Sequence, residues 1–310
     1  MEIISVIVPC FNEGKSLPFF YEEIKKISTE MNFVSFEYLF IDDGSNDDTL
    51  KEIKKYSEND HRVKYVSFSR NFGKEAAIYA GLKECNGDYA VIMDADLQDP
   101  PSLLPKMYDA IVREGYDSAA TRRINRKGEP VIRSFFAHIF YKIMNKFSES
   151  KIVDGARDYR LMTRQIVDSI LSLCEYNRFS KGIFGWIGFK TKWIEYENVE
   201  RVAGETKWSF WQLFKYSLEG ITAFSIQPLQ IASVFGVLFS MIALLMIVVI
   251  IVKTLIFGDP TSGWPSLVCI IMLIGGIQLL CIGILGQYLS KTYLETKRRP
   301  IYIEKEKNTK

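Results

Sequence analysis

Apolar and polar positions follow two rhythms over the first third of the chain. Runs rich in β-branched and aromatic side chains at 3–8, 38–41, 63–68 and 89–93 each end in polar residues, the pattern of short buried strands. Stretches at 17–31, 49–57 and 75–84 have helix-like spacing and separate those runs. Strand, helix and strand in succession predict an α/β fold built on a parallel sheet with right-handed crossovers. Such sheets bind ligands beyond the carboxyl ends of their strands.

The pattern changes after Glu219. Residues 229–252 include no charged side chain, and a helix of that run, at about 1.5 Å per residue, spans roughly 36 Å, enough to cross a bilayer core of about 30 Å. Residues 260–290 are again uncharged, and only a short turn carrying Lys253 and Asp259 lies between, so the two runs predict a helical hairpin that crosses and returns. Two amphipathic stretches precede it. In 130–147, Ile132, Phe136, Ile139, Phe140, Ile143 and Phe147 lie opposite Arg133, Lys142 and Lys146; in 208–225, Trp208, Trp211, Phe214 and Leu218 share one side. Both could lie at a membrane interface or pack on the sheet.

Charge refines this picture. Lys and Arg number 39 against 37 Asp and Glu, a net charge of +2, so no strong global field points to nucleic acid as the partner. Locally, Lys291, Lys297, Arg298, Arg299, Lys305, Lys307 and Lys310 follow the second run, and cationic flanks stay cytoplasmic. The expectation is a cell-membrane protein with two spans, at about 229–252 and 264–290, with the N-terminal domain and both termini cytoplasmic. Glu2 and the short run after it resemble a strand, so no signal peptide is read. Gly275, Gly276, Gly283 and Gly286 favour close helix contact and a possible homo-oligomer through the spans. Five cysteines without a C-x-x-C pair, and two histidines, His61 and His138, leave carboxylates to carry any metal.

The chemically rich residues collect at the predicted carboxyl rim: Pro9, Asn12 and Glu13 after the first strand, Asp42 and Asp43 after the second, Asp94 and Asp96 after the fourth. Residues 45–48 fit helix capping. No G-x-G-x-x-G or G-x-x-x-x-G-K-[ST] stretch occurs, so a diphosphate needs another source of charge compensation. Asp94-Ala95-Asp96 offers the hard oxygen ligands that Mg²⁺ or Mn²⁺ shares with substrate phosphates, and Gln98 adds a neutral carbonyl.

These residues resemble glycosyltransferase family 2, whose nucleotide-sugar-binding fold is called GT-A. The matching stretches are Ser5-Val-Ile-Val-Pro-Cys-Phe-Asn-Glu13, Ile41-Asp-Asp-Gly-Ser-Asn-Asp47, Arg70-Asn-Phe-Gly-Lys74 and Asp94-Ala-Asp-Leu-Gln-Asp-Pro-Pro101. Through Asp158-Tyr-Arg-Leu-Met162 and Arg201-Val-Ala-Gly-Glu-Thr-Lys207 the chain is similar to the polyisoprenyl-phosphate glycosyltransferases, relatives of dolichol-phosphate mannose synthase, over nearly all its length to Arg299. The resemblance implies a GT-A domain over 1–227 with a mostly parallel sheet and the interface helices, a two-helix transmembrane hairpin over 228–290, and a basic cytoplasmic tail over 291–310.

It also implies roles. Pro9, Phe11, Glu13, Ile41 and Asp43 would hold the nucleoside; Asp94, Ala95, Asp96 and Gln98 would surround the metal and diphosphate; Arg122, Lys181, Arg201 and Lys207 would neutralise donor and acceptor phosphates. Asp158 replaces a small residue of the mannose synthase pattern, which favours the glucosyltransferase-like branch. It is an acceptor-site candidate as base, as orienter of Arg160 or as a supporting partner. The implied reaction is inverting transfer of a sugar, with UDP-glucose the favoured donor over UDP-N-acetylglucosamine, UDP-galactose and GDP-mannose, to a polyisoprenyl (undecaprenyl) phosphate for envelope glycan modification. A processive synthase lacks support, since two spans make no channel and Q-x-x-R-W is absent. A non-catalytic nucleotide-sugar sensor or membrane scaffold is the alternative from another class.

Overall fold

The computed structural model describes residues 1–124, 153, 155–173, 175–197, 227–257 and 263–309. The expected helices near 130–147 and 208–225, together with Arg201 and Lys207, lie outside the described residues. In chain order the elements are β1 (Ile3–Cys10), α1 (Leu17–Glu30), β2 (Ser35–Asp42), α2 (Thr49–Asn59), β3 (Val63–Phe68), α3 (Lys74–Glu84), β4 (Tyr89–Ile92), α4 (Leu104–Val112), β5 (Ser118–Arg123) and β6 (Ala156–Thr163). They continue with α5 (Arg164–Ser172), α6 (Ser180–Trp186), β7 (Thr191–Tyr196), α7 (Gln227–Phe257), α8 (Trp264–Thr296) and β8 (Glu304–Asn308).

The eight strands form one sheet in the order β7-β5-β6-β4-β1-β2-β3-β8. The β1–β2, β1–β4, β2–β3 and β5–β7 pairs are parallel, whereas β6 runs antiparallel to both β4 and β5, and β8 antiparallel to β3. The fold is therefore α/β with a mostly parallel sheet. One face buries Leu17 and Phe20 of α1, Ile53 of α2 and Met107 of α4; the other buries Ala77 and Ile78 of α3, Ile166 and Ile170 of α5 and Ile183 of α6. Helix α3 lies so close to β1 that a Cβ on Gly81 would meet Ile7 Cγ2 at 2.2 Å. That tight packing fixes the start of α3, where Lys74 stands, over the carboxyl rim.

Residues 291–309 carry the last turns of α8 and the strand β8. Helix α8 continues to Thr296, and the chain then returns to the sheet as β8, with Lys54–Glu306 at 2.7 Å and Lys307–Glu84 at 3.2 Å beside the backbone pairing. Just before β8, Tyr302 is buried and stacks on Phe68 with ring centroids 4.7 Å apart. Tyr302→Ala is expected to cost about 3 kcal/mol by leaving a cavity at the sheet edge. Tyr302→Phe should be close to neutral, because the buried hydroxyl has no partner among the described residues. Chemical denaturation of the two variants in detergent checks the pair.

Helices α7 and α8 are long and apolar enough to cross a membrane, by length and composition. They present Val234, Val237, Leu279 and Leu280 outward, each more than 60% exposed.

Candidate active site at the carboxyl rim

Each rim loop follows a strand end, and the loops are stitched together by short side chains. Asn12, at φ 55°, donates its backbone N–H to Ser45 Oγ at 2.9 Å and accepts from Asn46 N at 2.9 Å. Glu13 N donates to Thr49 Oγ1 at 2.8 Å, while the Glu13 carboxylate accepts from Ser16 Oγ at 2.7 Å. Pro9, Phe11 and Glu13 thus line the end of β1 in half-buried positions. Ile41 differs, since its side chain is fully buried beneath α3 and leaves only backbone for a ligand.

The two adjacent carboxylates after β2 have separate tasks. Asp42 accepts from Ser45 N at 3.1 Å and from Ser67 Oγ at 2.7 Å, which ties β2 to β3. Asp43 accepts from Phe72 N at 2.6 Å and Gly73 N at 2.9 Å and so holds the loop leading into α3. Burial pushes the Asp43 carboxyl up to about 6 against the pull of those two N–H groups.

That loop delivers Lys74, which is not among the site residues expected from the sequence. Its Nζ lies 2.7 Å from Asp94 and 2.6 Å from Asp158. Register explains the convergence. Arg160 pairs with Ile92 across the antiparallel β4–β6 ladder, so Asp158 stands two residues further along β6, beside the loop that follows β4. Partial burial pushes Asp158 up, but Lys74, Lys181 and Arg157 outweigh it and hold the carboxyl well below the usual carboxylate range. Asp158 makes no hydrogen bond to Arg160. Its direct contact is with Lys74, a partner not among the roles expected for it.

Asp96 accepts from Gln98 N at 3.1 Å in a turn that places Leu97 at φ 56°. Ala95 is buried beneath, and Arg123 Nη2 donates to Gln98 Oε1 at 3.3 Å. Behind this turn Asp99, with no side-chain exposure, accepts from Arg157 Nε at 3.0 Å and from Tyr196 OH, a buttress absent from the sequence reading. Arg122 Nε donates to Glu195 at 2.9 Å on the outer strands. Lys181 lies on α6 and lines a cavity with Arg157 and Arg160.

Among the described residues no group of three or more His, Cys, Asp or Glu side chains is arranged to hold a metal by itself. Asp94 and Asp96 do fit the habit of Mg²⁺ and Mn²⁺, which take one or two carboxylates and complete their shell with water and substrate phosphate. Lys74 against Asp94 shows that this carboxylate already attracts a cation.

Glu75 follows Lys74 and accepts from Ser180 N at 2.9 Å and from Ser180 Oγ, joining α3 to the start of α6. Burial pushes its carboxyl up to about 7, and the charge of Asp158 adds to the rise. Because the folded value lies above the unfolded one, the native state binds the extra proton and gains stability as pH falls through 7 towards the ordinary carboxylate range. The melting temperature of the wild type relative to Glu75→Gln should therefore rise between about pH 7.5 and 5.5. A constant difference across that window would contradict the assignment.

Comparison with known proteins bears on this geometry. The model for "Glycosyl transferase family 2" matches residues 5–171. The chain is 44% identical to CsbB of Bacillus subtilis (strain 168), over 99% of this chain and 92% of that one. It is 40% identical to the bactoprenol glucosyl transferase of Shigella phage SfV, over 99% of both. Among solved structures, the mannosyl-3-phosphoglycerate synthase from Rubrobacter xylanophilus superposes with a TM-score of 0.50 at 16% identity, covering 72% of each chain, a likeness of fold.

Proposed function

The chain belongs to glycosyltransferase family 2, and from that premise we propose that it transfers glucose from UDP-glucose to a polyisoprenyl phosphate at the cytoplasmic face of a membrane. The observation that carries the reading is the meeting of Asp94 and Asp158 at one lysine, with Asp96 in the turn that follows Asp94, at the rim where open α/β sheets bind ligands. The likeness to a bactoprenol glucosyl transferase along the full chain supports the sugar and the lipid.

Pro9, Phe11, Glu13, the backbone of Ile41 and the loop held by Asp43 would cradle the nucleoside. Asp94 and Asp96, with Gln98 near, would hold Mg²⁺ or Mn²⁺, which neutralises charge on the departing diphosphate. Lys74 adds a fixed positive charge at the same place, and Arg122, Lys181, Arg201 and Lys207 are the further phosphate partners. The acceptor phosphate oxygen forms a bond to the anomeric carbon while the bond from that carbon to the diphosphate oxygen breaks, so the centre inverts. A phosphate monoester has its second pKa near 6 and arrives largely ionised, so no strong base is required. The low proton affinity of Asp158 agrees with that demand.

Membrane geometry supports the acceptor. Strand β8 follows α8 and pairs with β3, so the sheet and the chain's last strand share one side of any bilayer that α7 and α8 cross. At the end of α8, Glu295 accepts from Tyr176 N and Asn177 N at 3.0 Å and moors the domain against the hairpin.

The test is a donor panel. Purified full-length protein is given a prenyl phosphate, Mg²⁺ or Mn²⁺, and in turn UDP-glucose, UDP-galactose, UDP-N-acetylglucosamine or GDP-mannose, with mass detection of the lipid. A hexosyl lipid phosphate formed fastest from UDP-glucose is expected. Faster turnover of another donor overturns the sugar, and transfer only to free sugar or peptide overturns the acceptor.

A further inference from the structure

Arg160 is a charged side chain in an unusual setting. It is 6% exposed, and its guanidinium sits 4.5 Å from the Phe184 ring centroid and 5.4 Å from that of Trp193. Nη1 donates to Ser118 Oγ and Thr191 Oγ1, each at 3.2 Å, while Nε is buried with no partner. Among the described residues no carboxylate lies within ion-pair distance of it. The charge of Asp158 acts on Arg160 without pairing with it; a buried cation without a paired counter-ion is costly, and an anion that supplies one gains a charge-assisted, poorly screened contact.

The space for such an anion is present. Arg160, Arg157 and Lys181 line a cavity of about 270 Å³ whose other walls include Phe184, Phe189 and Trp193. That volume is near the lower end of whole-ligand pockets, about 300 Å³, so it suits a headgroup with the first part of a chain rather than a nucleotide sugar. A lining that combines three cations with aromatic rings matches a phosphate carried on a hydrocarbon. The cavity adjoins the candidate site, since Lys181 and Arg157 both act on the charge of Asp158. Its wall α6 begins at Ser180, shortly after Tyr176 and Asn177, where the end of α8 is moored. A free phosphate would have no use for the rings or for the adjacent apolar hairpin.

We propose that this cavity receives the phosphate and first isoprene unit of the acceptor lipid, with Arg160 as the buried counter-charge. The proposal rests on the lipid-phosphate reading above and deepens it by naming where the headgroup docks.

Photolabelling of the full-length wild-type protein in detergent with a diazirine-bearing farnesyl phosphate tests it. Labelling is expected at Phe184, Phe189 or Trp193, suppressed by unlabelled farnesyl phosphate at least about tenfold more effectively than by farnesol or inorganic phosphate. Labels confined to other segments overturn the proposal, as does equal competition by farnesol, meaning an apolar pocket only, or by inorganic phosphate, meaning a free-anion site. Arg160→Met should raise the acceptor KM about ten- to a hundredfold with the donor KM unchanged; an unchanged acceptor KM overturns the role of Arg160. Should that variant misfold, the wild-type labelling decides. Labelling at the expected rings with no turnover in the donor panel would mean that the sugar-transfer reading fails while the lipid-phosphate site stands.

Discussion

Asp96→Asn is expected to lower sugar transfer by about a thousandfold or more while leaving the protein folded and membrane-inserted. The substitution is nearly isosteric. Asparagine retains a carbonyl oxygen at the position where Asp96 accepts from Gln98 N, so the turn through Leu97 can persist. On the proposed metal assignment it removes one of the two negative charges that would face a divalent cation, and a neutral amide is a much poorer partner for a hard metal. A thousandfold loss corresponds to about 4 kcal/mol of transition-state stabilisation, the scale associated with electrostatic groups placed where charge develops. Turnover with the preferred donor, Mn²⁺ affinity by electron paramagnetic resonance and the melting temperature separate the cases. A variant within tenfold of wild type, or one binding Mn²⁺ as tightly, would remove Asp96 from the metal assignment.

The parts of the fold legible in the sequence are those governed by local periodicity. Strands β1 to β4 have apolar cores bounded by polar residues, and the hairpin declares itself by the absence of charge. Strands β5 to β8 do not. Strand β6 reads Ala-Arg-Asp-Tyr-Arg-Leu-Met-Thr because one face holds Tyr159 and Leu161 in the core while the other carries site residues, and β8 reads Glu-Lys-Glu-Lys-Asn. An edge strand can be made almost wholly of charges when its backbone pairs and its side chains find ion-pair partners, as Glu306 and Lys307 do. The site shows the same division. Spacing exposes carboxylates at strand ends but does not distinguish Asp42, committed to Ser45 and Ser67, from Asp94, which faces Lys74. Lys74 is separated from Asp94 by 20 residues and from Asp158 by 84, and the second contact exists only through the antiparallel return of β6.

Lys74→Met should lower kcat about a hundredfold and, in the absence of donor, tighten Mn²⁺ binding. Both effects come from one geometry. With Nζ at 2.7 Å from Asp94 and 2.6 Å from Asp158, the lysine supplies a positive charge between two carboxylates and also competes for the one assigned to the metal. Methionine keeps much of the apolar stem and removes the charge, so Asp94 is left freer to take a cation, while the repulsion between Asp94 and Asp158 loses its screen. If the lysine only filled the metal position in the ligand-free protein, its removal would tighten Mn²⁺ and leave kcat unchanged or higher. If it only neutralised Asp158, kcat would fall with no change in Mn²⁺ affinity. The joint signature of tighter metal and slower chemistry belongs to a lysine that leaves Asp94 when metal and donor arrive and remains paired with Asp158 beside the reacting phosphates. Lys74→Arg, with its charge retained on a broader head, should recover part of the rate and keep the weaker metal affinity. A variant pair with wild-type values for both quantities would detach Lys74 from the chemistry.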